Sequence, residues 1–263
     1  MPPVELETLL VDRADGIVTV TFNRPARKNA VNGQMWDELL ATFREIGDRA
    51  TDRVVVLTGA GGDFCSGADM SAVGEGEHPP HALTTMRHVG DVCLALYRLP
   101  QPTIAKVRGV AVGAGMNLAL LCDLVVADES ARFSEIFARR GLSIDFGGSW
   151  VLPRRVGLHR AKELALFADI IGARDAEAMG LVNRIVAEAQ LDTFVADWAG
   201  RLAAGPPIAL AQTKRLLNNA LGITLEQALD EESAAQAVNL ATADTREAVR
   251  AFLDKRTPTF TGH

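Results

Sequence analysis

The spacing of apolar positions changes several times along the chain, and each change predicts an element. Residues 6–23 alternate apolar and polar around Asp15-Gly16, the pattern of two short strands joined by a two-residue turn. Asn32-Gly33 opens a helix in which Trp36, Leu39, Leu40, Phe43 and Ile46 recur at helical spacing. Val54-Val55-Val56-Leu57 is apolar without alternation, as expected of a strand buried on both faces, and the glycine-rich residues 59–62 end it. A helix over 82–98 stops at Leu99-Pro100. A strand over 103–107, a glycine-rich stretch over 109–115, a helix over 115–121 and a strand over 123–127 follow. Strands alternating with helices predict a layered α/β domain of β-β-α or β-α units.

Past residue 150 helical spacing takes over, in segments 160–168, 175–180, 191–203, 208–221, 225–240 and 243–255. Gly205-Pro206-Pro207 is the strongest break, and the division expected is a core over 1–200 with a helical region over 201–263. A helical tail with Ala- and Leu-rich faces and no sheet to cover must pack on the core or on another subunit.

Composition narrows the classes of function. The 263 residues are 48% hydrophobic and 23% charged, enough for a large core and incompatible with a disordered chain. A formal net charge of −6 gives no reason to expect nucleic acid or an anionic membrane as a partner. No apolar stretch is long enough to span a bilayer, and the amino-terminal residues lack the pattern of a secretory signal. Cys65, Cys93 and Cys122 cannot all pair and have no zinc spacing, which predicts reduced thiols in a cytoplasmic protein. The five histidines have no ligand spacing, so no metal is expected. Phe64 stands where the third glycine of a dinucleotide-binding turn belongs, so no such cofactor is expected either.

Two glycine-rich segments after strands carry the chemistry. They are Phe64-Cys65-Ser66-Gly67-Ala68-Asp69-Met70 and Arg108-Gly109-Val110-Ala111-Val112-Gly113-Ala114-Gly115-Met116-Asn117. Small residues at strand-to-helix turns allow close backbone approach to a ligand, and two converging N–H groups there make an oxyanion hole. Either segment alone reads more readily as a tight turn with close helix packing than as a ligand site.

Together, and with their neighbours, they resemble the crotonase superfamily, the enoyl-CoA hydratase/isomerase family. Asn23-Arg24-Pro25 with Lys28-Asn29-Ala30 is similar to the family's early CoA-contacting loop. Cys65-Ser66-Gly67-Ala68-Asp69 and Gly113-Ala114-Gly115 are similar to its oxyanion loops. Cys122-Asp123 and Ala251-Phe252-Leu253-Asp254-Lys255-Arg256 match its middle and its C-terminal helix. The resemblance implies an α/β fold, the crotonase (ClpP-like) spiral of β-β-α units, with a C-terminal helical region that drives assembly into a homotrimer or a hexamer. It implies an acyl-CoA substrate with no cofactor besides the CoA of that substrate. It implies thioester binding by the amides of Ala68 and Ala114, and CoA binding by Arg24, Lys28, Ala30, Ser66, Ala68, Asp69, Met70, Phe252 and Lys255.

Departures from the family pattern steer the chemistry. Where family hydratases carry two glutamates, this chain has Asn117 and Phe137. Asparagine does not exchange a proton at neutral pH, and phenylalanine cannot hydrogen-bond a water. A different carboxylate, Asp145, precedes Phe146-Gly147-Gly148-Ser149-Trp150, and with Leu152-Pro153-Arg154 this run resembles the isomerase branch. That branch includes the dienoyl-CoA isomerases and the ring-epoxide isomerase of phenylacetyl-CoA breakdown. Asp145 reads either as a helix N-cap or as the acid–base group of a 1,3-proton shift, with Asn117 orienting substrate or carboxylate and Phe137 and Phe146 walling the acyl pocket. Glu135 is the reserve carboxylate, sharing a face with residue 137 if that stretch is extended. Segment 71–82 is expected to border the acyl pocket. Enoyl-CoA hydration, or acyl-CoA binding without turnover, are the other readings.

Overall fold

The computed structural model describes residues 4–72 and 81–263; most of the segment expected beside the acyl pocket, 73–80, lies outside them. The chain begins with β1 (Val4–Glu5), β2 (Leu9–Ala14) and β3 (Ile17–Phe22). Asp15 and Gly16 both take positive φ (52° and 79°), the geometry of a two-residue turn matched to strand twist, and they pair Ala14 with Ile17. Helix α1 (Gly33–Asp48) starts where expected, because the Asn32 side chain accepts from the Met35 amide at 3.0 Å. Its Met35, Trp36, Leu39, Phe43 and Ile46 face the core.

Next come β4 (Val54–Gly59), α2 (Ala82–Tyr97), β5 (Thr103–Val107), β6 (Val110–Val112), α3 (Ala114–Leu121), β7 (Leu124–Asp128) and β8 (Arg132–Ser134). β1 to β5, β7 and β10 (Arg184–Val186) form one sheet in the order β1-β2-β3-β4-β5-β7-β10, parallel from β3 onward. The short strands β6 and β8 pair in parallel in a second sheet. After β4 the chain enters that second layer as a bridge between Cys65 and Ala111; after β5 it enters as β6, and after β7 as β8. Each turn therefore lays one strand in each layer, the β-β-α spiral expected.

The later elements are α4 (Gly148–Val156), α5 (Leu158–Phe167), β9 (Ile171–Gly172), α6 (Ala173–Met179), β10 (Arg184–Val186), α7 (Leu191–Ala203), α8 (Pro207–Asn219), α9 (Leu225–Ala241) and α10 (Ala243–Leu253). The unbroken apolar run of β4 is explained by cover on both faces. Val55 and Leu57 join the main core, while Val54 and Val56 pack with Leu191, Val195 and Ala199 of α7. The division expected at residues 200 and 201 falls inside α7, and the chain breaks next at Gly205-Pro206. Helix α4 lies where the N-cap reading of Asp145 allowed a helix to begin, although it was not among the segments of helical spacing. No described helix is long and apolar enough to cross a membrane.

Candidate active site

Three stretches meet at one end of the spiral. In the first, Lys28 and Asn29 take positive φ (49° and 55°), which turns the Asn29 side chain inward. That buried amide accepts from the Arg24 N–H and donates to the Ala60 and Asp63 carbonyls at 2.9 and 2.7 Å. Arg24 in turn reaches the Ala30 carbonyl and pairs with Asp69 at 2.9 Å. The Ser66 amide donates to the Lys28 carbonyl, the Ser66 hydroxyl donates to the Arg27 carbonyl, and Val31 bridges Ala68. Arg24, Lys28, Ala30, Ser66, Ala68, Asp69 and Met70 thus occupy one continuous surface strip, with Lys28 extended toward Asp63 and Met70 half exposed. The Ser71 hydroxyl, assisted by the Ser71 amide and Arg24, holds the Asp69 carboxyl down to about 2, so it is ionised at neutral pH.

The second and third stretches are the two glycine-rich segments, and glycine chemistry explains their approach. A Cβ on Gly67 would stand 2.8 Å from the Val112 carbonyl oxygen and 3.6 Å from the Ala114 nitrogen. One on Gly115 would stand 2.2 Å from the Cys65 carbonyl oxygen. Only hydrogen fits at either place, and the two backbones therefore touch. Gly113, at φ 57°, starts α3 so that Ala114 is its first residue, with no helical acceptor for its amide. The Ala68 amide also finds no acceptor among the described residues.

Helix α3 is buried on every side and carries Asn117 one turn beyond Ala114. Its side-chain amide donates to the Asp145 carbonyl at 3.0 Å and, more weakly, to Glu135 Oε2 at 3.4 Å. Asn117 Oδ1, Glu135 Oε1 and Asp145 Oδ1 are all buried without a hydrogen-bond partner among the described residues. Native proteins seldom leave buried polar atoms unpaired, and these three belong to residues that the Asn117 amide joins. Burial pushes the Asp145 carboxyl up to about 6. Glu135 is pushed up to about 8, chiefly by burial and further by the Asp145 charge, against the opposing hydrogen bond from Asn117.

The N-cap reading of Asp145 does not hold. Helix α4 is capped by Gly147 with no side-chain bond, and Asp145 contributes only its carbonyl, to the Gly148 amide. Glu135 and Phe137 do not lie on one extended face either, because the chain turns into a 3₁₀ helix at Ile136–Arg140. The Phe137 ring instead lies 3.6 Å from where a Cβ of Gly113 would be, beside the start of α3. Phe146 turns into the main core and stacks on Trp36 with ring centroids 5.2 Å apart, which anchors the residue after Asp145. Phe252, 82% exposed near the end of α10, and Lys255, just past that end, make no hydrogen bond to these loops within the chain. Sequence reasoning missed Cys93 of α2, whose sulfur lies 3.0 Å from where a Cβ of Gly147 would be; burial, then the charge of Asp145, pushes its thiol up to about 11.

The amides of Ala68 and Ala114, unpaired among the described residues, and the half-buried, elevated carboxyl of Asp145 are groups that can hold a developing negative charge and move a proton. The profile of the family "Enoyl-CoA hydratase/isomerase" matches residues 12–263. A Rhodobacter capsulatus protein named "Probable enoyl-CoA hydratase" is 41% identical over 257 residues, covering 97% of this chain and 98% of that one. The 1,2-epoxyphenylacetyl-CoA isomerase of Escherichia coli K12 is 37% identical over 260 residues, covering 98% and 99%. The crystal structure of an enoyl-CoA hydratase from Bacillus anthracis superposes with a TM-score of 0.93 at 32% identity, covering 98% and 100%. The chain belongs to the enoyl-CoA hydratase/isomerase family and is an enzyme of that family, with the crotonase fold.

Proposed function

We propose that the protein isomerises an enoyl-CoA through a proton shift carried by Asp145. The single observation that carries this reading is the half-buried Asp145 carboxyl, elevated to about 6, uncapped, and tied through its main chain to the helix that begins at Ala114.

In a 3-enoyl thioester, ionised Asp145 takes a proton from C2. The C–H electron pair moves into the carbonyl, giving a dienolate whose charge rests on the thioester oxygen. The amides of Ala68 and Ala114 hold that oxygen, and each such donor lowers the barrier by about 2.7–4 kcal/mol. The protonated Asp145 then returns the proton to C4 on the same face, and the double bond moves to C2–C3. A general base near neutral pKa contributes about 10²–10⁴-fold. Phe137 supplies an apolar wall and offers nothing to hold a water, while Phe146 fixes the backbone at Asp145.

Arg24, Lys28, Ala30, Ser66, Ala68, Asp69 and Met70 bind the CoA along the strip they share. Phe252 and Lys255, exposed and without a hydrogen bond to these loops within the chain, bind it from another subunit, as in the family that the chain resembles. Exposed Leu217, Leu221, Leu225, Leu240 and Leu253 on and between α8 to α10 support assembly into a homotrimer or a hexamer. Three unpaired thiols support a reducing, cytoplasmic setting.

Hydration of a 2-enoyl-CoA, a lyase reaction, is the second reading. It is favoured by one feature, that two carboxyls, Glu135 and Asp145, flank Asn117. Purified protein incubated with 2-enoyl- and with 3-enoyl-CoA separates the two. Conjugation of the 3-enoyl substrate without gain of water, lost in Asp145→Ala, supports isomerisation. Accumulation of 3-hydroxyacyl-CoA supports hydration.

A further inference from the structure

Glu135 is a buried carboxyl that the proton shift does not use. It sits where β8 ends and the 3₁₀ turn begins, with no exposed surface. Its one hydrogen bond is to the Asn117 amide, and it forms no ion pair among the described residues. A carboxylate in such a place would be left without cation or solvent, so burial keeps it neutral. The titratable groups that face it are few. Asp145 lies across Asn117, and Cys93 of α2 is close enough to feel the Asp145 charge. Arg139 and Arg140 of its own turn, and His159, Arg160, Lys162 and Glu163 of the neighbouring α5, are exposed.

Asn117 spends both N–H groups on protein, one on Glu135 and one on the Asp145 carbonyl. The Gly148 backbone closes over it, since a Cβ there would stand 2.4 Å from Asn117 Nδ2. Its orientation therefore has two restraints, and Glu135 is the one that a change of charge alters.

Resting on the isomerase reading above, we propose that Glu135 is a positioning residue: through the Asn117 amide it fixes the main chain at Asp145 and sets the charge carried by the acyl pocket. While neutral, it leaves Asp145 the one ionised carboxyl beside the substrate. Once ionised, it places a second negative charge beside a developing enolate and opposes it. Its elevation to about 8, part of it from Asp145, supports the same order of ionisation, with Asp145 as base below and Glu135 as proton holder above.

The test compares wild type, Glu135→Gln, Glu135→Ala and Asp145→Asn with a 3-enoyl-CoA across pH. The wild-type kcat is expected to rise as Asp145 ionises and to fall again near pH 8. Glu135→Gln, which keeps the shape of the neutral acid but cannot ionise, is expected to lose the alkaline fall. Glu135→Ala is expected to lower kcat by up to about 10²-fold, the cost of a misplaced catalytic group, with KM little changed and with the glutamine variant restoring the rate at neutral pH. Difference infrared spectra of wild type against Glu135→Gln supply a readout free of turnover, a protonated carboxyl band that disappears near pH 8. An alkaline fall retained in Glu135→Gln, a folded Glu135→Ala with wild-type kcat, or an infrared band absent at neutral pH would overturn the inference. If Glu135→Ala does not fold, the glutamine variant and the spectra decide it. Asp145→Asn separates the two levels: full activity there removes the isomerase reading itself, whereas its inactivity beside wild-type behaviour of both Glu135 variants removes this inference alone.

Discussion

The side-chain amide of Asn117 donates to the main-chain carbonyl of Asp145 at 3.0 Å, so the helix that starts beside the oxyanion loops also sets the position of the carboxylate. In the proposed mechanism, one short, wholly buried helix thereby couples the amide that would receive charge, at Ala114, to the carboxyl that would move the proton. Replacing Asn117 by Ala frees the Asp145 backbone and is expected to lower kcat by about 10²-fold, as for a catalytic group displaced by roughly 1 Å, with a smaller change in KM. Steady-state kinetics on a 3-enoyl-CoA measure the split.

The same helix makes its first amide testable in isolation. Proline is tolerated at the first position of a helix, where the N–H has no partner in the fold. Ala114→Pro is expected to leave the thermal unfolding temperature little changed and to cut kcat by about 10²–10³-fold, the cost of one oxyanion donor. Calorimetry and kinetics on one preparation give both numbers.

Gly148 is constrained by Asn117 and not by its own φ. A methyl group there would press on Asn117 Nδ2 from 2.4 Å. Gly148→Ala is expected to destabilise the protein by about 1–3 kcal/mol, the usual range for overpacking, and to lower kcat with it. Denaturant unfolding checks the first part.

Asp69 links Arg24 to the loop that carries Ala68. Asp69→Ala is expected to raise KM for an acyl-CoA by about tenfold, equivalent to about 1.4 kcal/mol, with kcat less affected. Because Asp69 is held below its ordinary value, its contribution to stability is present above about 3.8 and is lost as pH falls through about 2.

Asp145 works in the opposite sense. Its pKa is raised on folding, so its favourable contribution is complete below its ordinary value of 3.8 and is lost as pH rises through about 6. The unfolding temperature of Asp145→Asn, relative to wild type, is expected to rise between about pH 4 and pH 7. Paired thermal scans across that range are the check.

Much of this architecture was legible in residue spacing. The Asp15-Gly16 turn, the two-faced strand β4 and the amphipathic α1 each follow from local chemistry that the neighbourhood reinforces. Helix α4 was legible only as the helix that an Asp145 cap would start, and the positions of Gly147 and Gly148 were not explained by spacing. Their reason lies in Cys93 and Asn117, which the spiral brings in from elsewhere in the chain. The same long-range packing hid the contact between Glu135 and Asn117, 18 residues apart, and turned Phe146 onto Trp36. The oxyanion segments were recognisable as motifs, but their contact at Gly67 and Ala114 depends on how two layers stack.

Hydrogen exchange at C2 of a 3-enoyl-CoA in deuterated water tests the central claim most directly, since it reports proton removal whether or not product forms. Wild-type protein is expected to incorporate deuterium at C2 and to move it to C4, and Asp145→Asn to do so at least about 10²-fold more slowly while still binding the thioester. Exchange at C2 that persists at the wild-type rate in Asp145→Asn would contradict the account.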